Sequence, residues 1–320
     1  MITANLPWVE SPFFEEELIA KDLTEEKAKL VREYHTNGYV VLTGLLPQSL
    51  VDQVRHEAET KAFDPAFPIA TPRDENRVQD FWKVSEVTKQ LAIYPEILDL
   101  LELLYGRPSV PFQTLSFKVG TQQRAHSDTI HFSSLPARYM CGVWVALEDI
   151  SEENGPVFYC PGSHRLTEYD FSQIRTSSST TSYDNYKEYE DFMEEIVAAN
   201  KFEKKKFLAK KGDVLIWSSN IIHGGSPVTR EGATRWSQVT HYFFENCYYY
   251  TPMFSNMVTR ELFLRKRLVN IKTGKRAEHT YNGEKLNIIK TQPKLYLLAD
   301  KKSSGASLLL GSMIGMFKKI

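Results

Sequence analysis

The apolar pattern of this 320-residue chain changes period at Pro111, and that change constrains the fold more than any other feature. Before it, apolar residues recur three and four apart. Ile97, Leu98, Leu101, Leu104 and Tyr105 make one stripe between Pro95, suited to a first helical position, and Gly106, suited to a stop. Thr24 ahead of Glu25 and Glu26 marks another helix start, running to about His35 and stopping at Asn37-Gly38. Pro47 to about Lys61 reads as a third helix, with Leu50, Val51 and Val54 on one face. After Pro111 the period is two: Gln113, Leu115, Phe117 and Val119 alternate with Thr114, Ser116 and Lys118. Further strands are expected at 38–42, 141–147, 157–160, 214–217 and 234–244. Helices first, then many strands joined by Gly/Pro turns, predict a mainly β architecture with flanking helices, a sandwich or jelly roll.

Such a fold brings distant strands together, which gives meaning to two fragments almost a hundred residues apart. One is His126-Ser127-Asp128; the other is His223, followed twelve residues later by Arg235-Trp236-Ser237. Two imidazoles and one carboxylate are the facial ligand set of non-heme Fe(II) oxygenases, which leaves coordination positions open for a cosubstrate and O2. Residues two apart on a strand share a face, so His126 and Asp128 can reach one ion, with His223 arriving from a neighbouring strand end. Arg235 offers a planar fork for the far carboxylate of 2-oxoglutarate, and Ser237 on the same face offers a further donor. Arg230, in the turn 227–232, is the second choice for that anchor. Around these fragments Thr129, His131, Arg124, Arg138 and His241 are candidate substrate contacts, whereas His164 reads as a turn residue.

Net charge is −1, so no polyanionic partner is indicated and nucleic-acid binding has no electrostatic support. Three cysteines (Cys141, Cys160, Cys247) without metal-ligand spacing fit buried thiols in a reducing compartment, and no leader is apparent, so a cytoplasmic location is expected. Residues 171–211 do not read as barrel. They form a lid-like insertion that begins with a polar Ser/Thr run and continues as a charged, tyrosine-rich helix, with a surface excursion as the alternative. The apolar tail at 304–320 is too short to span a bilayer, so no transmembrane segment is expected, and it leaves a homodimer open. The whole of 1–320 is read as one domain.

At this point the chain resembles the phytanoyl-CoA dioxygenase family. The resemblance rests on His126-x-Asp128, Trp144, Asn154-Gly155-Pro156, Pro161-Gly162-Ser163-His164, His223, Arg235-x-Ser237 and the opening Asn37-Gly38-Tyr39-Val40-Val41-Leu42. It covers roughly residues 15 to 255. It implies a double-stranded β-helix (jelly-roll, cupin-like) core and Fe(II)/2-oxoglutarate chemistry. Carried over residue by residue, it implies His126, Asp128 and His223 as metal ligands, Arg235 as carboxylate anchor and Trp144 as a wall of the cosubstrate pocket. Thr114, Ser116 and Lys118, on the strand before the first metal fragment, are weaker cosubstrate candidates. The chain departs from the family in having Arg235 twelve rather than eleven residues after the histidine. Halogenases of this superfamily have Gly or Ala in place of the aspartate, and Asp128 argues against halogenation.

The expected activity is oxidation of an unactivated C–H bond of a small polar or carboxylated biosynthetic metabolite, by hydroxylation or by cyclisation or desaturation, with release of succinate and CO2. A lipid-linked, acyl or saccharide precursor is the alternative substrate, although no Lys/Arg cluster suited to a CoA diphosphate is visible in the sequence. A jelly-roll binding protein without catalysis is the reading from a different class.

Overall fold

The computed structural model describes residues 4–174 and 183–299, so the tail at 304–320 and the Ser/Thr run at 176–182 lie outside the described residues. Among the described residues six helices, α1 (Phe14–Ala20), α2 (Glu25–Asn37), α3 (Gln48–Glu57), α4 (Glu86–Ala92), α5 (Pro95–Tyr105) and α6 (Tyr186–Ala199), accompany thirteen strands. The strands of the first half are β1 (Tyr39–Leu42), β2 (Arg77–Gln79), β3 (Ser109–Phe117), β4 (Ser133–Leu135), β5 (Met140–Ala146) and β6 (Val157–Tyr159). Those of the second half are β7 (Lys205–Lys206), β8 (Val214–Ser218), β9 (His223–Gly225), β10 (Ser237–Phe244), β11 (Tyr248–Tyr250), β12 (Asn287–Gln292) and β13 (Leu295–Ala299).

The major sheet has the order β1-β8-β5-β10-β3-β2, antiparallel throughout. A smaller sheet, β7-β6-β9, faces it, and an isolated bridge between His126 and His223 extends that sheet by one segment. Between the layers pack Trp144, Leu215, Trp217 and Val239 from the major sheet and Val157 and Tyr159 from the minor one. The outer face of the major sheet is covered by the helices through a separate cluster that includes Val54, Leu101, Val143, Ile216 and Phe244. With both faces covered, β5, β8 and β10 are buried along their whole length. This is a cupin-like jelly roll with helices packed outside. Among the described residues no helix is long and apolar enough to cross a membrane. All three cysteines are free and buried.

The sequence signals at the helix ends act as expected. The Thr24 hydroxyl accepts from the Lys27 N–H (3.4 Å), and Gly38 closes α2 in the left-handed region (φ 79°). Gly38 is glycine for a second reason: a Cβ there would lie 2.5 Å from the His164 ring. His164 Nε2 faces the His35 carbonyl at 3.1 Å, so this histidine ties the turn after β6 to the end of α2. Burial, reinforced by Arg165 and Arg138, pulls its pKa down to about 4. An unfolded chain would take up that proton near pH 6.5, so between pH 6.5 and 4 the unfolded state binds more protons and stability falls as pH falls. The contribution is about 3 kcal/mol at the acid end, at roughly 1.4 kcal/mol per pKa unit. His164→Gln, which keeps a donor for the His35 carbonyl, is therefore expected to flatten the loss of stability between pH 7 and pH 4.5, measured by urea unfolding.

Candidate metal and cosubstrate site

The first fragment approaches β9 edge to edge: the His126 N–H donates to the His223 carbonyl at 3.0 Å and the His223 N–H to the His126 carbonyl at 2.9 Å. The chain then leaves the strand direction, and Asp128 opens a 3-10 turn over Asp128–Ile130 rather than continuing a strand. The turn still delivers the carboxylate: ligand atoms of His126, Asp128 and His223 lie within 4.8 Å of one another, and all three residues are buried. His126 Nδ1 lies 2.9 Å from the Arg124 carbonyl and His223 Nδ1 3.1 Å from the Ile221 carbonyl. A carbonyl only accepts, so both Nδ1 atoms carry the hydrogen and both Nε2 lone pairs are free to ligate. Burial, then the neighbouring His223, pulls the His126 pKa down to about 3, which keeps its imidazole neutral. Burial works against the charge on Asp128. His223, His241, His126 and the Trp217 N–H (2.8 Å to Oδ2) outweigh it and hold the carboxyl below its ordinary value. Two imidazoles whose Nε2 atoms face a carboxylate are a donor set that suits a divalent first-row metal. Trp217 can lie there because its β5 partner is Gly142, where any Cβ would overlap the indole.

The cluster opens into a cavity of about 570 Å3, within the range that takes small ligands. Of the expected cosubstrate residues, Arg235 and Trp144 line it. The Arg235 guanidinium is buried, 5.8 Å from the ring centres of both Trp144 and Phe117. Its Nη1 donates to the Gly155 carbonyl at 3.1 Å, while Nε has no partner. No carboxylate among the described residues lies within 4.0 Å, and burial alone pulls its pKa down to about 10. Arg230, by contrast, is exposed beside Glu153 at 3.8 Å, so the extra residue in the turn is absorbed and Arg235 is the residue facing the cavity. Ser237 is buried on the same strand face without lining the cavity; its hydroxyl donates to the Arg235 carbonyl at 3.4 Å.

Thr114, Ser116 and Lys118 do not reach the cavity. The lining residues of β3 are Gln113, Leu115 and Phe117, of opposite parity. Thr114 and Ser116 instead sit opposite Thr240 and Gln238 on the helix-facing side, where Gln238 Nε2 donates to the Thr88 carbonyl of α4 (3.3 Å). Polarity on that strand serves sheet-to-helix packing, and Lys118 is exposed beyond its end. Thr129 is likewise buried away from the cavity, bonded to Ser127 and to Asn220. Arg138 joins Glu10 (2.8 Å) and Glu168 (2.9 Å) on another part of the surface, and Arg124 pairs with Asp191 of α6. His131 and His241 do line the cavity. His241 Nε2 lies 3.9 Å from Asp128 Oδ2 and its Nδ1 3.0 Å from Gln113 Oε1; burial pulls the pKa of both histidines to about 4.

Within the insertion, α6 packs against the body of the fold. Tyr189, Met193 and Val197 of α6 are buried against Ile130, Phe158 and Ile222. Glu194 accepts from the Ala125 N–H at 3.0 Å, and the Tyr186 hydroxyl lies 3.1 Å from His131 Nε2. Tyr183, Tyr186 and Glu190 thereby become part of the cavity wall, together with Arg265, Thr251 and Gln79, which sequence reasoning missed. Nor did the sequence reveal a basic rim: Lys83, Lys266, Arg267 and Lys294 meet around an adjoining cavity of about 600 Å3 that shares Gln79, Gln113 and Arg265 with the first.

A jelly roll with two imidazoles and a carboxylate converging at one end of its interior is the arrangement of the non-heme iron oxygenases. The phytanoyl-CoA dioxygenase (PhyH) family model matches residues 34–235, and the chain belongs to that family of iron- and 2-oxoglutarate-dependent dioxygenases. It is 24% identical over 252 residues to the human peroxisomal phytanoyl-CoA dioxygenase, covering 71% of this chain and 70% of that one. Among solved structures, the non-heme carbocyclase SnoK of nogalamycin biosynthesis matches with a TM-score of 0.59 at 19% identity, covering 88% of this chain and 98% of that one. EctD from S. alaskensis, with 2-oxoglutarate and 5-hydroxyectoine, matches at 0.56 and 18% identity, covering 72% and 79%.

Proposed function

We propose that this chain oxidises a C–H bond of a small polar or carboxylated metabolite, using Fe(II), 2-oxoglutarate and O2. The observation that carries this reading is Arg235: a buried cation without a carboxylate partner among the described residues, lining the cavity that holds the His126, Asp128 and His223 cluster. A desolvated, unpaired guanidinium is costly unless a ligand supplies its counter-charge. These three residues would hold the iron and Arg235 the far carboxylate of 2-oxoglutarate, with Trp144 and Phe117 walling off water. The bound iron, 2-oxoglutarate and O2 together supply an oxidant, one oxygen atom ending in succinate and the other available to the substrate, with CO2 released.

The chain's own residues bind and exclude. Trp217 holds the Asp128 carboxylate in place, and the two histidine Nδ1–H groups, bonded to backbone carbonyls, fix the ring orientations. Helix α6 acts as a cover, and its contacts with Ala125 and His131 support that role. Hydroxylation is the default outcome; ring closure or desaturation depends on how the substrate is held. The basic rim of Lys83, Lys266, Arg267 and Lys294 favours a second reading, in which the substrate is an acyl or saccharide precursor bearing phosphate.

Calorimetry of 2-oxoglutarate into anaerobic Fe(II)-loaded protein, followed by succinate measurement under O2, tests the reading. Binding that requires the metal, with succinate formed, is the expected result. Absence of metal-dependent binding would overturn it.

A further inference from the structure

We propose that Arg265 is the anchor for an anionic group of the substrate, so that the molecule oxidised carries a carboxylate or a phosphate at the end remote from the reacting bond. The proposal rests on the function proposed above and assigns the substrate's side of the same cavity.

Arg265 lies thirty residues beyond the stretch matched to the family, in a segment fixed to β11 by its N–H donating to the Tyr249 carbonyl at 2.9 Å. Its guanidinium sits over Phe132 (4.8 Å to the ring centre) and Phe112 (5.4 Å), and Nη1 donates to the Thr251 hydroxyl at 3.1 Å. Two aromatic faces and a hydroxyl orient this cation, but none of them neutralises it. No carboxylate among the described residues lies within 4.0 Å; Asp80, whose charge bears on it from further away, is bonded to Lys83 at 3.1 Å. Burial pulls its pKa down to about 10, which leaves it charged at neutral pH. A fork held in this way and open to a cavity suits a carboxylate or phosphate oxygen pair.

Position separates this cation from Arg235. Arg235 precedes His241 by six residues along an extended chain, about 20 Å at the usual strand rise. Arg265 lies past the His241 end: the Phe132 ring beneath it is 4.9 Å from the His241 ring, whose Nε2 is 3.9 Å from Asp128 Oδ2. The two arginines therefore rise from backbone at different ends of the cavity, and the proposal gives the second of them a second anion. Lys266, Arg267 and Lys294 of the adjoining cavity, which shares Arg265, add positive potential on that side, where Lys83 is paired with Asp80.

The test uses the full chain loaded with Mn(II) and saturating 2-oxoglutarate, titrated by calorimetry with benzoate, phenyl phosphate and neutral benzamide. At least one anion is expected to bind tenfold or more tighter than benzamide, and the tighter of the two identifies the group. Arg265→Gln should remove that preference while changing 2-oxoglutarate affinity by less than twofold, and Arg265→Lys should retain part of it. Thr251→Val, which only releases the fork, should weaken the anion a few-fold, so the proposal stays testable if Arg265→Gln melts early. Equal binding of benzamide, no binding of either anion, or a preference that survives Arg265→Gln would each overturn it. If 2-oxoglutarate itself does not bind, the function proposed above fails; the anion titrations are then run without it and still judge Arg265.

Discussion

Asp128→Ala is expected to stop succinate formation, lowering it at least a thousandfold, while the protein stays folded. The carboxylate is the one anionic donor in the proposed ligand set, and losing it leaves two imidazoles to hold a dication. Loss of an outer partner of a metal ligand costs roughly 10–100-fold in affinity or activity, and loss of a ligand itself should exceed that. Stability should respond differently. Removing the carboxylate orphans the Trp217 N–H, a cost of about 1–3 kcal/mol, and it removes a charge that the neighbouring histidines and the Trp217 N–H favour more than burial opposes it. Both effects lower stability, so the metal-free variant should melt several degrees below the wild type. The check is Fe(II) or Mn(II) binding by calorimetry alongside a thermal melt. A variant that still bound metal with wild-type affinity would remove Asp128 from the ligand set.

What the sequence made legible was carried by local rules. Periodicity and caps located α2, α5 and the long strands, because an apolar stripe or a Thr24 cap acts within a turn or two of itself. That His126, Asp128 and His223 could come together was legible from residue type, although the turn that carries Asp128 was not. Asp128 reaches the cluster from a turn whose geometry Ser127, Thr129 and Asn220 fix together. What stayed hidden depended on partners far along the chain. β9, starting His-Gly-Gly, has no strand propensity and exists because β6 and the His126 segment supply its hydrogen bonds. Arg138 looked like a substrate contact because it lies near the triplet, but its acids are Glu10 and Glu168. Thr114 and Ser116 looked like the functional side of β3 because they are polar; the functional side is the one that faces Val239 and His241, and only the pairing with β10 decides which that is. Arg265 had no motif around it, and its significance comes from two phenylalanines on other elements.

Arg235→Met is expected to move affinity and stability in opposite directions. In the free protein the guanidinium is desolvated, holds one backbone carbonyl and leaves Nε without a partner. An apolar side chain of similar length removes that cost, so the melting temperature without ligand should rise or stay unchanged. Truncating one partner of a buried, hydrogen-bonded charge pair costs about 2–5 kcal/mol, which at 1.4 kcal/mol per decade weakens 2-oxoglutarate roughly 30- to several-thousand-fold. Arg235→Lys keeps the charge and loses the fork, so it should fall between the two. The measurement is 2-oxoglutarate binding to the metal-loaded protein, paired with a ligand-free melt for each variant. A structural role for Arg235 through the Gly155 carbonyl predicts the other pattern, in which Arg235→Met loses stability and affinity together and Arg235→Lys restores both. The sign of the stability change therefore distinguishes a guanidinium that waits for a ligand from one that holds the barrel closed.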